Sequence, residues 1–279
     1  QAVEAKEGLE INLPKETFAR ISFQRFFRLY RKLSGMSGTV AEAQAELWGI
    51  YRLPVVSIPT HRPCQRIVMP DRVFTTAAAK WEAVIAEIGG VHRTGRPILA
   101  GTGGIRESEY LSGLLAANGL PHRLLNAMRQ ASEAQVIAEA GQTGQITVST
   151  NMAGRGTDIR LGAGVAELGG LHVIATERFD ARRIDRQLFG RCARQGDPGS
   201  AQAFISLEDE LLQKHTRMII LAFKRIFCNN NNEISTFLWR RLTDALQCRV
   251  ERVSFRLRRE VLSADNWLDH HLGFAANDI

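Results

Sequence analysis

Between about residues 66 and 207, short apolar runs alternate with segments whose apolar residues recur every three or four positions. The apolar runs predict buried strands. These are Pro97–Ala100, His122–Leu125, Gln145–Ser149, Leu171–Ala175 and Ala203–Ser206. Helical patterns separate most of them, which is typical of β-α-β units and predicts an α/β fold with a mainly parallel sheet.

Two of the intervening helices have recognisable ends. Thr75 or Thr76 is expected to cap a helix that stops at Gly89-Gly90, because threonine oxygens accept from free amides at a helix start. A glycine turn after the first strand leads to another helix, which should stop at Asn118-Gly119.

The two ends of the chain have a different pattern from the middle. Residues 1–60 predict a short aromatic helix near Phe23, a loop, and a second helix to Tyr51, as expected for the tail of a preceding domain. Residues 61–214 are expected to form the α/β domain, and residues 215–279 are expected to be helical. From Leu238 to Val261 apolar residues recur with helical period, which predicts one long amphipathic helix.

The opposite face of this long helix is rich in arginine. Its members are Arg249, Arg252, Arg256 and Arg259. Such a face is usually solvated and sometimes contacts an acidic partner. Both interpretations stay open from the sequence.

Two neighbouring motifs suggest phosphate binding. The run Thr150–Ile159 follows a β-branched apolar stretch, so it should be a loop whose glycines let backbone amides approach an anion. The run Gln187–Gly196 places Arg191 and Arg194 three residues apart, which on a helix would put both on one face.

The phosphate cradle G-x-x-x-x-G-K-[S/T] that would complement these arginines does not occur. The nearest candidate, Gly95–Gly104, has no lysine followed by serine or threonine. The chain is therefore predicted to supply arginines to a nucleotide whose other side is held by a different domain, as one half of an ATP motor. We expect negligible ATP hydrolysis by the isolated chain.

Composition adds broad limits. The net charge of +7 favours acidic partners, such as a nucleotide, an anionic lipid surface or nucleic acid, without choosing among them. No stretch reaches the roughly 20 apolar residues needed to span a bilayer, and the charged start Gln1–Lys6 is unlike a signal peptide, so a cytoplasmic location is expected. The four cysteines are widely spaced, which predicts neither a metal site nor a disulfide framework.

Several segments together resemble the SecA family, the ATPase that drives preproteins through the bacterial Sec channel. The matching blocks are Gln1–Gly8, Gly35–Thr39, Thr150–Ile159, Glu177–Gly199 and Ser206–Asp209. The resemblance implies that the α/β part is a RecA-like second nucleotide-binding domain of the superfamily 2 type, with helices on both faces of its sheet. The opening segment would end the first such domain, and the C-terminal helix would begin the helical scaffold.

The resemblance also implies roles for individual residues. Arg191 and Arg194 would reach the γ-phosphate, with Arg155 assisting. The implied nucleotide-binding residues are Gly154, Gly156, Asp158 and Gln187. The cofactor would be ATP, with Mg²⁺ held mainly by the other domain. Arginines inserted from a second domain suit phosphoryl transfer, which depends on positioning and charge neutralisation.

Partners follow from the same resemblance. They would be the Sec channel and an unfolded preprotein, with no nucleic acid, and with peripheral association at the inner face of the plasma membrane. Contact with an anionic membrane surface and formation of a homodimer stay open.

The chain departs from the family pattern at a few positions. Ala193 stands where the family usually has glycine, Phe189 where arginine is common, Met128 and Gln130 in place of lysine and histidine, and Phe179 in place of histidine. A Cβ at position 193 would cost about 1 kcal/mol if φ must be positive and nothing on a helix. Two alternatives remain, a helicase-like nucleic-acid motor domain and a non-catalytic SecA-like paralogue.

Overall fold

The computed structural model describes residues 21–125, 133–150, 157–215 and 236–272. These residues form two compact units. The described parts of the first unit lie within Gln1–Met36, Ala43–Val55 and Val253–Ile279, and those of the second within Ser37–Glu42 and Val56–Arg252. The domain boundaries near residues 60 and 214 remain predictions.

Most of the described residues lie in regular structure. In chain order, the strands are β1 (Gln65–Val68), β2 (Arg72–Phe74), β3 (Ile98–Thr102), β4 (Arg123–Leu125), β5 (Ile146–Thr150), β6 (Leu171–Ala175) and β7 (Pro198–Ser206). The helices are α1 (Phe23–Arg28), α2 (Gln44–Tyr51), α3 (Ala77–Arg93), α4 (Ile105–Ala117), α5 (Glu133–Glu139), α6 (Arg182–Phe189), α7 (Glu210–His215) and α8 (Thr236–Leu272). A 3₁₀ turn, Ala41–Ala43, precedes α2.

The second unit is built on one sheet. Its strand order is β1-β7-β6-β3-β5-β4, and β2 pairs with β7 beyond the end of β1. Every pairing among the described strands is parallel. The carboxyl ends of the central strands therefore meet at one edge, where open α/β sheets bind their ligands.

Helices cover both faces of this sheet. Alternate strand residues point to opposite sides, so Ile98 and Ala100 pack in one apolar cluster and Leu99 in the other. The first cluster includes residues of α3 and α4. The second includes residues of α6, α7 and the first turns of α8. The predicted RecA-like fold, followed by a helical C-terminal segment, is confirmed.

The strand predictions hold for β3 to β6. The bounds of β3 to β6 lie within two residues of the predicted runs. The prediction for β7 is too short, because the buried polar residues Ser200 and Gln202 interrupt the apolar run in its first half. The strands β1 and β2 were not predicted. Most of β1 is exposed at the sheet edge, so no apolar run marks it.

The helix α3 begins where predicted but continues further. Thr76 caps it, with Oγ1 accepting a hydrogen bond from Ala79 N at 3.3 Å. The prediction that Gly89-Gly90 ends this helix is wrong. A glycine inside a helix costs about 1 kcal/mol, and burial of Ile88 beside this pair offsets that cost. The chain turns only at Gly95, whose φ is +78°. The following helix, α4, ends at Asn118 as predicted.

The first unit contains α1, α2 and the C-terminal part of α8. Ser22 caps α1 by accepting from Arg25 N at 3.1 Å. Within this unit, Arg258 of α8 binds the carboxylate of Glu46 of α2 with two nitrogens, at 2.6 and 2.7 Å. The long predicted helix is confirmed, and the side chains of its four predicted arginines are exposed. None of the described helices is long and apolar enough to cross a membrane.

Candidate nucleotide site

A cleft of about 780 Å³ lies in the second unit, beside the end of β5 and the C-terminal end of α6. Ser149 and Thr150 reach it from the carboxyl end of β5. Its other described lining residues are Ser37, Gly38, Thr39, Arg66, Val68, Arg186, Gln187, Leu188, Phe189, Gly190, Arg191 and Arg194. The cleft therefore brings the predicted arginines next to the ligand edge of the sheet.

Four of the described residues that line this cleft are arginines. They are Arg66, Arg186, Arg191 and Arg194. No carboxylate is among its described lining residues, although Glu42 pairs with Arg186 and Asp158 pairs with Arg194. Guanidinium groups bind phosphate with charge-assisted, often bidentate hydrogen bonds. The arrangement therefore suits an anion with several phosphate oxygens.

The prediction that Arg191 and Arg194 share a helix face is wrong. The helix α6 ends at Phe189, with Gly190 as its C-cap, and both arginines lie in the turn that follows. The turn nevertheless brings them together. Both Nη1 atoms lie 3.4 Å from the same acceptor, the carbonyl oxygen of Thr157.

The side chain of Arg194 is held by local contacts. Its Nη1 pairs with Asp158 Oδ1 at 2.8 Å, and its Nε donates to Gly190 O at 2.8 Å. Both members of the ion pair are more than a third exposed, at 36% and 42%. An exposed pair of this kind contributes only about 0–1 kcal/mol. A phosphate group can therefore compete with Asp158 for Arg194.

The turn carrying the arginines has a strained backbone. Ala193 has φ of 54° and Gln195 has φ of 57°, the left-handed region that favours glycine. Of the two cases left open for Ala193, the structure shows the costly one. Side chains at the start of β1 hold this turn, since Arg66 donates twice to Cys192 O at 3.0 and 3.3 Å and Gln65 donates to Gly196 O at 2.8 Å.

Sequence reasoning missed Arg66. No motif surrounds it, and the strand that carries it is short and exposed. The predicted residue Gln187 does line the cleft, and its Nε2 donates to Thr39 Oγ1 at 3.3 Å. The predicted residues Gly154, Arg155 and Gly156 lie outside the described residues, as do Met128 and Gln130.

A second polar group at the carboxyl ends of the strands was also missed. Glu177 follows β6, and its Oε1 accepts a hydrogen bond from Gly103 N at 2.7 Å. Burial raises the pKa of its carboxyl to about 7, and the nearby charge of Asp209 adds to that rise. Lys80 pairs with Asp209 at 2.6 Å. Glu177 and Asp209 lie in the Glu177–Gly199 and Ser206–Asp209 blocks that resemble the SecA family. These blocks could have drawn attention to both acids, but no role was predicted for either.

Comparison with protein families gives two matches. A model of the SecA P-loop domain matches residues 63–167 and 163–226, and a model of the SecA DEAD-like domain matches residues 1–48. The chain belongs to the SecA family. The predicted resemblance is confirmed.

Named relatives agree with this assignment. The protein translocase subunit SecA of Halothermothrix orenii is 48% identical over 267 residues, which is 95% of this chain and 32% of the relative. That of Caldicellulosiruptor saccharolyticus is 47% identical over 270 residues, which is 96% of this chain and 32% of the relative. The chain thus spans about a third of the length of the SecA proteins that it matches.

The solved structures that match this chain are more distant in sequence. Domain 2 of the DEAD-box helicase Mss116p, bound to an RNA duplex, is 18% identical with a TM-score of 0.42, over 56% of this chain and 61% of that chain. The E. coli DEAD-box protein SrmB, bound to the regulator RraA, is 18% identical with a TM-score of 0.43, over 55% of this chain and 83% of that chain.

Two departures from the SecA pattern involve buried aromatic rings. Phe189 and Phe179 are each 7% exposed and belong to the core cluster on the α6 side of the sheet. The ring of Phe189 also packs 5.7 Å from the guanidinium carbon of Arg178. Both aromatic side chains are therefore accommodated by the core beside the cleft.

Proposed function

We propose that this chain is a segment of a SecA-type, ATP-driven protein translocation motor. In this proposal its arginine-lined cleft binds the phosphates of ATP opposite a Walker-bearing domain. The observation that carries the proposal is the presence of four arginines in the lining of a cleft beside the carboxyl end of β5. Membership of the SecA family supports the same reading.

The residues of the cleft suit a nucleoside triphosphate. Arg191 and Arg194 are close enough to share one acceptor, so neighbouring phosphate oxygens can engage both. Ser149 and Thr150 add hydroxyl donors at the end of β5. ATP would supply the phosphoryl group, with Mg²⁺ held mainly by the other domain. The family pattern assigns the remaining nucleotide contacts to Gly154, Arg155 and Gly156. Gln187, which donates to Thr39, would help couple the nucleotide state to domain closure.

Asp158 has a second role in this proposal. The family pattern assigns it to the ribose and phosphate side of the nucleotide, and in the structure it pairs with Arg194. We infer that it holds the Arg194 side chain at the cleft until phosphate replaces it. The ion pair then keeps the guanidinium at the cleft. Because the pair is exposed, breaking it costs little free energy.

The whole motor would act on an unfolded preprotein at the Sec channel, from the cytoplasmic side of the membrane. The 279-residue chain by itself is expected to bind triphosphate weakly and to hydrolyse ATP negligibly, because it has no Walker cradle.

Titration calorimetry with inorganic tripolyphosphate tests the cleft in this chain alone. We expect one binding site, weakened about ten-fold by Arg191→Ala and again by Arg194→Ala, since a hydrogen bond to a charged group contributes about 1.5–3 kcal/mol. Arg249→Ala is the matched control, because it removes an exposed arginine from α8. Equal losses in all three variants would show nonspecific charge attraction and refute the site. Absence of binding would favour the non-catalytic paralogue.

A further inference from the structure

The helix that leads to the two arginines is capped by a distant side chain. Its N-cap, Ala181, has no side-chain cap of its own. Glu251 of α8 takes that place, with Oε1 accepting from Arg182 N at 2.9 Å and Oε2 pairing with Arg182 Nη2 at 3.1 Å. A carboxylate at a helix N-terminus satisfies free amides and complements the helix dipole. The long helix thus supplies the cap of α6.

One turn earlier on α8, Gln247 makes a second connection. Its side chain is buried, and its Nε2 donates to Phe179 O and to Asp185 Oδ2, both at 2.8 Å. Asp185 also accepts from Phe179 N at 3.0 Å and from Arg178 Nη1 at 3.1 Å. A buried polar network of this kind is specific in geometry, because an unpaired member would be costly. We call Gln247, Glu251 and their partners on residues 178–185 the α8–α6 clamp.

The length of α6 makes this clamp important for the arginines. With eight residues, α6 has few internal hydrogen bonds, and so short a helix is not stable without tertiary contacts. Its first turn is fixed by the clamp, Gly190 and Arg191 follow directly on its last residue, and Arg194 lies three residues further on. Loosening the first turn therefore loosens the anchor from which both guanidinium groups project.

We propose that Glu251 is a positioning residue for Arg191 and Arg194, through which the long helix α8 sets the geometry of the arginine-lined cleft. The identity of the ligand in this proposal rests on the proposed function. The link between α8 and α6 does not depend on it. The proposal identifies Gln247 and Glu251 as the contacts through which α8 affects the affinity of the cleft for phosphate.

Hydrogen–deuterium exchange in this chain tests the link without a ligand. Loss of a helix cap weakens the local structure by about 1 kcal/mol, so Glu251→Ala should speed exchange in residues 182–189 about five-fold. The same variant should speed exchange in residues 190–194. Glu251→Gln keeps an acceptor for Arg182 N and should have a smaller effect. Glu260→Ala, which removes an exposed acid from the same helix, should leave both segments unchanged.

Tripolyphosphate affinity provides the second readout, and its sign distinguishes positioning from simple charge. Removing the carboxylate of Glu251 makes the chain more positive, so general electrostatics alone would tighten binding of an anion. The proposal predicts the opposite, an affinity several-fold weaker in Glu251→Ala and partly restored in Glu251→Gln.

The two readouts separate the possible failures. Unchanged exchange in residues 190–194, or tighter tripolyphosphate binding by Glu251→Ala, would overturn the positioning role. If exchange changes as expected but wild-type chain binds no tripolyphosphate, the proposed function fails and the α8–α6 link stands. If Glu251→Ala does not fold, Glu251→Gln with the same two signs decides the question.

Discussion

Replacement of Glu177 by glutamine isolates one charge at the carboxyl end of the sheet. Its Oε1 accepts from Gly103 N at 2.7 Å. Burial raises the pKa of this carboxyl to about 7, the charge of Asp209 adds to the rise, and Lys80 opposes it. Glutamine keeps the accepting oxygen and cannot ionise, so Glu177→Gln removes the charge with little change in shape.

The size and sign of the effect follow from the pKa of Glu177. It rises from 4.5 to about 7 in the folded chain, so the folded state keeps a proton that the unfolded state has lost. The contribution of this group to stability is full below pH 4.5 and is lost as pH rises to about 7. The shift corresponds to at most about 3 kcal/mol, and partial exposure of the side chain reduces this to about 2 kcal/mol.

Urea unfolding followed by tryptophan fluorescence measures this effect. We expect Glu177→Gln to match the wild type at pH 4 and to have a free energy of unfolding about 2 kcal/mol higher at pH 8. Glu109→Gln makes the same chemical change at an exposed position of α4 and is the matched control. A difference that does not vary with pH, or destabilisation at pH 8, would refute the reasoning about burial.

Two further predictions concern strain and a buried ion pair. Ala193→Gly should be neutral or stabilising by about 1 kcal/mol in thermal unfolding, because φ is positive there. The control Ala86→Gly, at an exposed position inside α3, should cost about 1 kcal/mol. Similar losses of stability at both sites would contradict the left-handed conformation of Ala193. Lys80→Met should cost about 3–5 kcal/mol in urea unfolding, because it leaves Asp209 buried without its partner. Combining it with Asp209→Asn should recover most of that loss, and no recovery would mean that the pair is not coupled.

Local patterns were enough to predict the centre of the fold. The strands β3, β5 and β6 are buried along their whole length, and continuous apolar runs indicate such burial directly. The edge strand β1 could not be predicted, because it is recognised only by its pairing with β7. Gly89-Gly90 misled for a related reason, since packing of the same helix against the core outweighs the local cost of two glycines.

The candidate site was predictable in its residues and not in its geometry. The spacing of Arg191 and Arg194 indicated that their side chains lie close together, but this proximity comes from a turn with a left-handed residue at Ala193 rather than from a helix face. The contribution of Arg66 and the cap from Glu251 depend on contacts across 126 and 69 residues. Such contacts leave no periodic signal in the sequence.

The central claim is that this chain completes an ATP site with its arginines. The most direct test is ATP hydrolysis by the chain mixed with a Walker-bearing first domain from a SecA relative. We predict that the mixture hydrolyses ATP, that neither part does so alone, and that Arg191→Ala lowers the rate by about 10³-fold or more, as for other arginines that act across a domain interface. Robust hydrolysis by the isolated chain, or a mixture unaffected by Arg191→Ala, would contradict it.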